Sequence, residues 1–275
     1  MRKTASVLLT TALLLILSAC EDVNFGKFFY TDCDVDTRFE QSINRNMQQE
    51  ENMLFTADDK YGFWVCSDLH LKKEIPPYLE HFFEQVNSSS NELFIVYNGD
   101  LYNGDADEAD FTYNTLQKQS PLPAFYTAGN HDLFFDWNIY YDRFGSSTYT
   151  LEIKTPTATD LLLFLESASA TLGKKQYDWL CDVLRKRKSY RHCFVITHTN
   201  FSLQGINNGI FMSDEMHTLY RLFGDHQVTA VFSGHAHQRN DQTRLGVRYL
   251  TTGALKNGEY GLVTIDNDKW EWEFK

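Results

Sequence analysis

Six almost unbroken apolar runs, each about as long as one β-strand, constrain the fold of this chain most strongly. They are YGFWVCSD (61–68), ELFIVYNGD (92–100), PAFYTAGN (123–130), DLLLFLES (160–167), HCFVITH (192–198) and VTAVFSGH (228–235). Strands that lack hydrophobic–polar alternation are typical of parallel sheets whose two faces are both covered. Three later runs alternate more and predict further strands at 247–255, 261–266 and 269–274.

Helical patterns lie between these runs. In Lys175–Lys186 the apolar residues recur at i, i+3, i+4 and i+7, which puts them on one helix face, and Pro76–Val86 is a second helical stretch. Strands that alternate with helices indicate an α/β fold. Because the chain has 275 residues and shows no internal repeat, we expect one large α/β domain.

Five of the predicted strands end in residues that bind metal ions or transfer protons. In order, they are Asp68-Leu69-His70, Gly99-Asp100, Gly129-Asn130-His131-Asp132, Thr197-His198-Thr199 and Gly234-His235-Ala236-His237. In open α/β sheets, sites form beyond the carboxyl ends of the strands, so these groups are placed where they can converge. Carboxylate, imidazole and amide ligands suit Mn, Fe or Zn, whereas the absence of thiolates argues against a structural zinc site.

Each short motif also has a purely structural interpretation. A single Asp-x-His or Gly-Asp is common in tight turns, and a lone histidine is often a hydrogen-bonded core residue. Gly-Asn-His-Asp is rarer, and the spacing of Gly-His-Ala-His suits metal ligands. Five of the nine histidines lie at these strand ends, together with three carboxylates and one asparagine. The combination therefore favours a metal centre.

The ordered set of motifs resembles the calcineurin-like metallophosphoesterases. Their pattern is Asp-x-His, Gly-Asp, Gly-Asn-His-(Asp/Glu), a single His and then Gly-His-x-His, and all five occur here in that order. The spacing is also similar, with 32 residues from Asp68 to Asp100 and 30 from Asp100 to Asn130. The resemblance covers roughly residues 61–274. It implies an α/β fold with four layers, α/β/β/α, in which two mixed sheets are flanked by helices.

The resemblance also implies a centre of two divalent or mixed-valence metal ions (Mn, Fe or Zn). The ligands would be Asp68, His70 and His237 for the first ion, Asn130, His198 and His235 for the second, and Asp100 between the two. The implied reaction is hydrolysis of a phosphodiester or phosphomonoester by a hydroxide that bridges the metals. His131 would assist the leaving group, and Asp132 would accept a hydrogen bond from the His131 ring and orient it.

Departures from the pattern argue against two branches of the family. The segment after Gly99-Asp100 lacks the arginine of the protein Ser/Thr phosphatases, and Asp132 stands where they have glutamate. Asn103 stands where the purple acid phosphatases have an iron-binding tyrosine, with Tyr102 one residue early. The main alternative is a non-catalytic metal- or ligand-binding surface lipoprotein on the same fold. We favour the enzyme because His131 and all seven ligand positions are intact.

Two further clusters have open interpretations. The acidic residues Asp105, Asp107, Glu108 and Asp110 form either an additional cation site or a solvated loop, and the loop is favoured. The aromatic residues Phe134, Phe135, Trp137, Tyr140 and Tyr141 either line a pocket for a base or aryl group or belong to the core. Helically spaced aromatic residues are usually core residues, so we favour the core.

The segment MRKTASVLLTTALLLILSAC resembles a bacterial lipoprotein signal. Arg2 and Lys3 precede the apolar run Val7–Leu17, which falls short of the ~20 residues of a membrane-spanning helix. The run ends at Leu17-Ser18-Ala19-Cys20, so the resemblance implies lipidation of Cys20 and a membrane anchor in the cell envelope. Whether the protein faces the periplasm or the cell surface stays open. Residues 21–55 are then a spacer, and residues 56–275 are the catalytic domain.

Charge and cysteine content limit the partners and the covalent links. Without residues 1–19 the chain has 37 acidic and 23 basic residues, a net charge of −14. Such a surface repels nucleic-acid backbone, so we expect a small phosphate ester as substrate and no general nucleic-acid binding. Cys33, Cys66, Cys181 and Cys193 allow three disulfide pairings. Because Cys66 and Cys193 lie in apolar runs, we expect no structural disulfide.

Overall fold

The computed structural model describes residues 34–48, 52–201 and 213–275. Its α-helices are α1 (Val35–Asn46), α2 (Pro77–Asn87), α3 (Ala106–Gln119), α4 (Trp137–Phe144), α5 (Gly173–Leu184) and α6 (Ser213–Asp225). Short 3₁₀ helices cover His131–Leu133, Arg187–Ser189 and Leu255–Asn257. Within the described ranges, no helix is both long enough and apolar enough to cross a membrane.

The described strands form two mixed sheets. They are β1 (Met53–Phe55), β2 (Lys60–Cys66), β3 (Glu92–Asn98), β4 (Ala124–Thr127), β5 (Tyr149–Lys154), β6 (Thr159–Leu165), β7 (Cys193–Thr197), β8 (Ala230–Ser233), β9 (Arg239–Arg244), β10 (Val247–Thr252), β11 (Gly261–Asp266) and β12 (Lys269–Phe274). The larger sheet has the order β1-β5-β6-β7-β8-β10-β9, and the smaller has the order β12-β11-β2-β3-β4. The neighbours β2, β3 and β4 are parallel, as are β6, β7 and β8.

The two sheets pack face to face, and helices cover their outer faces. Strand β2 shows why the apolar runs are unbroken: Phe63 and Val65 point into the core between the sheets, whereas Trp64 and Cys66 point into the core beneath the helices. The ring of Phe63 lies 4.9 Å from that of Phe94 in its own sheet and 5.7 Å from that of Phe194 in the other sheet. The predicted four-layer sandwich of two mixed sheets is therefore confirmed.

The described part of the predicted spacer folds onto the domain. Asp34 caps α1 by accepting from the Thr37 amide (3.3 Å), and Val35 and Phe39 are buried beneath the helix. Arg38 is also buried, and its Nε donates to Glu166 at 3.0 Å. Strand β1 pairs in parallel with β5. The folded unit therefore includes α1 and β1, which precede residue 56. The sequence pattern did not indicate this because the partners of α1 and β1 lie far away along the chain.

The acidic run begins a helix. Asp105 is the N-cap of α3, and its carboxylate accepts from the backbone amides of Asp107 (2.8 Å) and Glu108 (3.3 Å). Acidic residues stabilise the first turn of a helix because they face its positive end. The acidic cluster is therefore the start of a helix and not the solvated loop that we favoured. Its helix-capping role explains the acidic residues without a bound cation.

Cysteine placement agrees with the expectation of no disulfide, as far as the structure describes the chain. Cys66 and Cys193 are buried free thiols in β2 and β7, and Cys181 is a half-buried free thiol in α5. Burial raises the pKa of Cys193 to about 12, which keeps it protonated and inert. Cys33 lies outside the described residues, as do the segment 1–20 and Cys20.

Candidate metal centre

The seven predicted ligands lie where strands of the two sheets end side by side. Asp68 and His70 follow β2, Asp100 follows β3 and Asn130 follows β4, all in the smaller sheet. His198 follows β7 and the His235–His237 pair follows β8, in the larger sheet. Because parallel strands of both sheets end at the same edge, residues that are far apart in the chain meet there.

The structure brings these side chains into two overlapping groups. The ligand atoms of Asp68, His70, Asp100 and His237 all lie within 4.8 Å of one another, and those of Asp100, His198 and His235 do the same. Asp100 belongs to both groups. Its Oδ1 lies 3.3 Å from His198 Nε2, and its Oδ2 lies 3.7 Å from His70 Nε2. Asp100 is therefore placed to bridge two ions.

Hydrogen bonds on the far side of two rings select their tautomers. His70 Nδ1 lies 3.0 Å from Asn103 Oδ1, and His198 Nδ1 lies 2.8 Å from the carbonyl oxygen of Asn98. Both oxygens can only accept, so each Nδ1 must be the donor. When each ring is neutral, its lone pair is then on Nε2, which faces the other ligands. This is the arrangement that an imidazole needs to bind a metal ion.

Buried ligand atoms without a hydrogen-bond partner provide a test of whether a metal fits. Buried polar atoms normally have a hydrogen-bond partner, yet Asn130 Oδ1 and His235 Nε2 have none. Asp68 Oδ1 and His198 Nε2 lie beside other ligands of the centre, His237 Nε2 (3.1 Å) and Asp100 Oδ1 (3.3 Å). Two fully buried carboxylates, Asp68 and Asp100, also need positive charge nearby. Divalent ions would satisfy both needs, and the oxygen and imidazole donors suit Mn, Fe or Zn. The residues thus fit a dinuclear centre.

Buried charges in the centre act on one another. Burial by itself would raise the pKa of Asp100, but His198 and His131 hold it well below its usual value. Burial by itself would lower the pKa of His198, but the Asp100 carboxylate raises it to about 10. A metal ion bound by His198 must displace this proton, so metal binding at this position releases a proton.

Five of the seven ligands have a left-handed backbone conformation, which is uncommon for residues other than glycine. Their φ angles are 57° for Asp68, 47° for His70, 53° for Asp100, 66° for His235 and 53° for His237. Such a residue costs on the order of 1–3 kcal/mol and persists only where its surroundings enforce the conformation. Here the amides of Asp68 and His70 donate to the carbonyls of Gly99 and Asp100, both at 3.0 Å. The strained backbone conformation therefore sets the direction in which these ligand side chains point.

Two glycines allow the loops to approach one another. At Gly99 φ is +79°, and a Cβ there would lie 2.5 Å from His198 Nδ1. At Gly129 φ is not positive, but a Cβ would overlap Asp100 Oδ1 and the Asp100 backbone nitrogen. Gly99 is thus required by both its conformation and its contacts, and Gly129 by its contacts alone.

Asp132 does not orient the His131 ring, so that expectation was wrong. Its Oδ1 accepts from the backbone amides of Leu101 (2.9 Å) and Tyr102 (3.2 Å), and its Oδ2 accepts from the Gly129 amide (2.7 Å). His131 Nδ1 is buried without a hydrogen-bond partner. Adjacent residues on a helical turn do not face each other, which explains the difference. Asp132 instead ties the loop after β3 to the loop after β4.

His131 lies beside the ligands and belongs to neither group. Its Nε2 is 3.9 Å from Asp100 Oδ2, and its ring meets the His70 ring edge-on, with centroids 4.5 Å apart. The side chain is 32% exposed. The ring can therefore reach a substrate held at the metals. Tyr102, by contrast, is buried and donates to the Asp132 carbonyl at 3.0 Å, away from the ligand groups.

Sequence reasoning missed the positioning residue Asn98. Its Nδ2 donates to the carbonyl of Thr197 at 3.0 Å and lies 3.4 Å from that of Phe232, so it joins β3 of one sheet to β7 and β8 of the other. Its own carbonyl orients His198. A polar residue inside an otherwise apolar strand, one position before Gly99-Asp100, was the signal available in the sequence.

Asn103 provides a prediction for the first ligand group. Replacement of Asn103 by Ala removes the acceptor that holds His70 Nδ1, and loss of such a partner typically costs ~10–100-fold in metal affinity. We expect a decrease of this size in Mn²⁺ affinity, measured by calorimetry, without loss of the fold. Asn138→Ala, at the exposed start of α4, is the matched control. Unchanged Mn²⁺ affinity in Asn103→Ala would contradict the role of Asn103.

Comparison with known proteins agrees with this site. The family model for calcineurin-like phosphoesterases matches residues 61–239. A dimetal phosphatase from Danio rerio shares 14% identity and a TM-score of 0.62, over 78% of this chain and 95% of that one. Yellow lupin (Lupinus luteus) purple acid phosphatase shares 13% identity and a TM-score of 0.59, over 79% and 52%. GAP50, described as the anchor in the inner membrane complex of Plasmodium, shares 13% identity and a TM-score of 0.63, over 79% and 84%.

None of the curated protein sequences matches the chain. The structural likenesses show the fold, since their identities are low. The family model covers well over half of the chain and includes all seven predicted ligands. This protein therefore belongs to the calcineurin-like phosphoesterase family, whose members hydrolyse phosphoric esters.

Proposed function

We propose that this protein hydrolyses a small phosphomonoester or phosphodiester at a centre of two metal ions. The observation that carries the proposal is the convergence of two ligand groups on Asp100, which belongs to both, together with the buried Asn130 Oδ1 and His235 Nε2, which have no hydrogen-bond partner. The description of the Danio rerio relative as a dimetal phosphatase supports it.

Bound at these residues, the two metal ions would supply an activated water and positive charge for the phosphoryl oxygens. The seven ligand residues would hold the ions, and they limit the negative charge of the centre to two carboxylates, Asp68 and Asp100. A phosphate can therefore approach although the protein is acidic overall. His131 is placed to hold a proton at the leaving-group oxygen, a role that typically contributes ~10²–10⁴-fold to the rate.

The proposal is tested with the purified protein, stripped of metal and reloaded with Mn, Zn, Fe or Ni. Aryl monoesters, aryl diesters and nucleotides are the substrates. We expect turnover that depends on the added metal. Full activity in the stripped protein would contradict the proposal, and metal binding without turnover on any ester would favour the non-catalytic alternative.

We also propose that the protein is anchored to a membrane of the bacterial cell envelope through a lipid on Cys20. The support is the basic, apolar and small-residue order of residues 2–20. Cys20→Ala is expected to abolish metabolic labelling with a fatty acid and to release the protein from membranes. Cys181→Ala is the matched control, and labelling that persists in Cys20→Ala would refute the anchor.

A further inference from the structure

The aromatic residues after Gly129-Asn130 divide into two groups that the sequence did not separate. Trp137 and Tyr140 are buried in the core beneath α2, α3 and α4, with ring centroids 5.4 Å apart. Phe134 is only half-buried, and Phe135 is 40% exposed. The core interpretation therefore holds for Trp137 and Tyr140, whereas Phe134 and Phe135 keep part of their surface exposed.

Phe134 lies directly against His131. Their ring centroids are 4.2 Å apart, and the rings are inclined by 53°. The His131 ring also meets the edge of the His70 ring, and His70 is one of the ligands. His131 thus has a metal ligand and a phenyl ring as its two ring neighbours. A group that leaves from a phosphate held at the metals, next to His131, departs close to Phe134.

The loop after Asp100 fixes the position of both phenylalanines. Gly104 has a φ of +91°, and a Cβ there would lie 2.9 Å from Phe134 Cβ and 3.1 Å from Phe135 Cδ2. The preceding residue, Asn103, holds the ligand His70. The phenylalanines are therefore packed against the same loop that positions a metal ligand, so their distance from the centre is set by the scaffold.

We infer that Phe134 and Phe135 form a leaving-group subsite for phosphate esters whose leaving group contains a planar aromatic ring, an aryl alcohol or a nucleoside. This inference rests on the proposed function. In the reaction, a water oxygen bonds to phosphorus and the water releases a proton, the ester P–O bond breaks, and the leaving oxygen takes a proton from His131, which the proton released by the water restores.

The reach of the subsite follows from hydrogen-bond geometry. A general acid lies about 2.6–3.2 Å from the oxygen that it protonates. The Phe134 ring lies against the His131 ring, with centroids 4.2 Å apart, so a carbon attached to that oxygen can come within the ~3.5–4.0 Å of carbon–carbon contact with Phe134. An aryl leaving group can therefore pack on Phe134, whereas the base of a nucleoside, farther from the phosphate, can extend to the exposed Phe135.

The first experiment compares the wild type with Phe134→Leu and with the double variant Phe134→Leu/Phe135→Leu, all loaded with Mn²⁺. The substrate pairs are phenyl phosphate with ethyl phosphate, and AMP with ribose 5-phosphate. The quantity compared is the variant-to-wild-type ratio of kcat/KM for each substrate, which cancels the intrinsic reactivity of the leaving groups. Phe55→Leu replaces a phenyl group that is 74% exposed at the end of β1 and serves as the control.

If the aromatic leaving group stacks on the phenyl rings, the Leu variants should lose about tenfold in kcat/KM on the aromatic substrate of each pair, mainly through a higher KM. Phe134→Tyr keeps the ring face and should retain the preference. A loss confined to phenyl phosphate identifies aryl esters as the source, and a loss confined to AMP identifies nucleotides. An equal loss on all four substrates would overturn the inference, because Phe134 would then only position His131.

Binding measurements test the subsite independently of the proposed function, because affinity can be measured without hydrolysis. Phenylphosphonate and methylphosphonate cannot be hydrolysed at an ester bond, and calorimetry on the Mn²⁺-loaded protein gives their affinities directly. We expect phenylphosphonate to bind about tenfold more tightly, and the preference to disappear in Phe134→Leu. A protein with this preference but no turnover on any ester would contradict the proposed function and retain the subsite. Equal affinities in the wild type would overturn the subsite, whatever the turnover.

Discussion

Asp100→Asn is expected to lower metal-dependent phosphoesterase activity by at least about 10³-fold. Asp100 is the one residue that belongs to both ligand groups, and it is buried between them. Asparagine has nearly the same shape as aspartate, but it removes the negative charge. It also replaces one of the two carboxylate oxygens by an amide nitrogen. Each ion would lose an anionic ligand if Asp100 is shared between the two ligand groups.

The Asp100 prediction is checked by two measurements on the same preparation. Elemental analysis after dialysis gives the metal content, and initial rates on an aryl ester give kcat/KM. Asp182→Asn, an exposed carboxylate in α5, is the matched control and should keep both quantities. An Asp100→Asn protein that retained two ions and near-normal activity would show that the bridging assignment is wrong.

His131→Ala is expected to retain the metals but to lose activity by about 10²–10⁴-fold. His131 contacts the ligands without belonging to either group, and its Nε2 lies 3.9 Å from Asp100 Oδ2. Removal of the ring takes away the group that holds a proton for the leaving oxygen. All seven ligand side chains remain.

A series of aryl esters makes the His131 test sharper. If His131 protonates the leaving oxygen, the loss in His131→Ala should shrink as the phenol becomes more acidic, because an acidic phenol leaves without a proton. His81→Ala, at an exposed position on α2, serves as the control. Loss of metal from His131→Ala, or an equal loss of rate on every phenol, would count against this role.

The metal ligands could be predicted from the sequence because each of them lies within four residues of the end of an apolar strand. An apolar run of five to seven residues predicts a buried strand, and a polar group after it must lie at the strand's carboxyl end. In this way Asp68, Asp100 and His198 could be placed at one edge before any contact was known. Their order along the chain then indicated the family, which the family model over residues 61–239 confirms.

The sequence did not reveal the roles of side chains that act through a residue distant in the chain. Asn98 holds the carbonyl of Thr197, 99 residues away, and Arg38 holds Glu166, 128 residues away. Nothing near Asn98 or Arg38 in the chain reveals such partners. Asp132 was paired with the wrong group for a related reason, since its three amide donors come from two different loops.

By itself, the sequence determined which side chains reach the edge of the sheets, because strand length and burial follow from the local pattern of apolar residues. Only the tertiary structure decided how those side chains face one another. Left-handed backbone at five ligands, the oriented rings of His70 and His198, and the separation of Phe134 from the core all depend on loops pressed together from two sheets. Such contacts are set by packing between distant segments, and packing has no periodicity that a sequence displays.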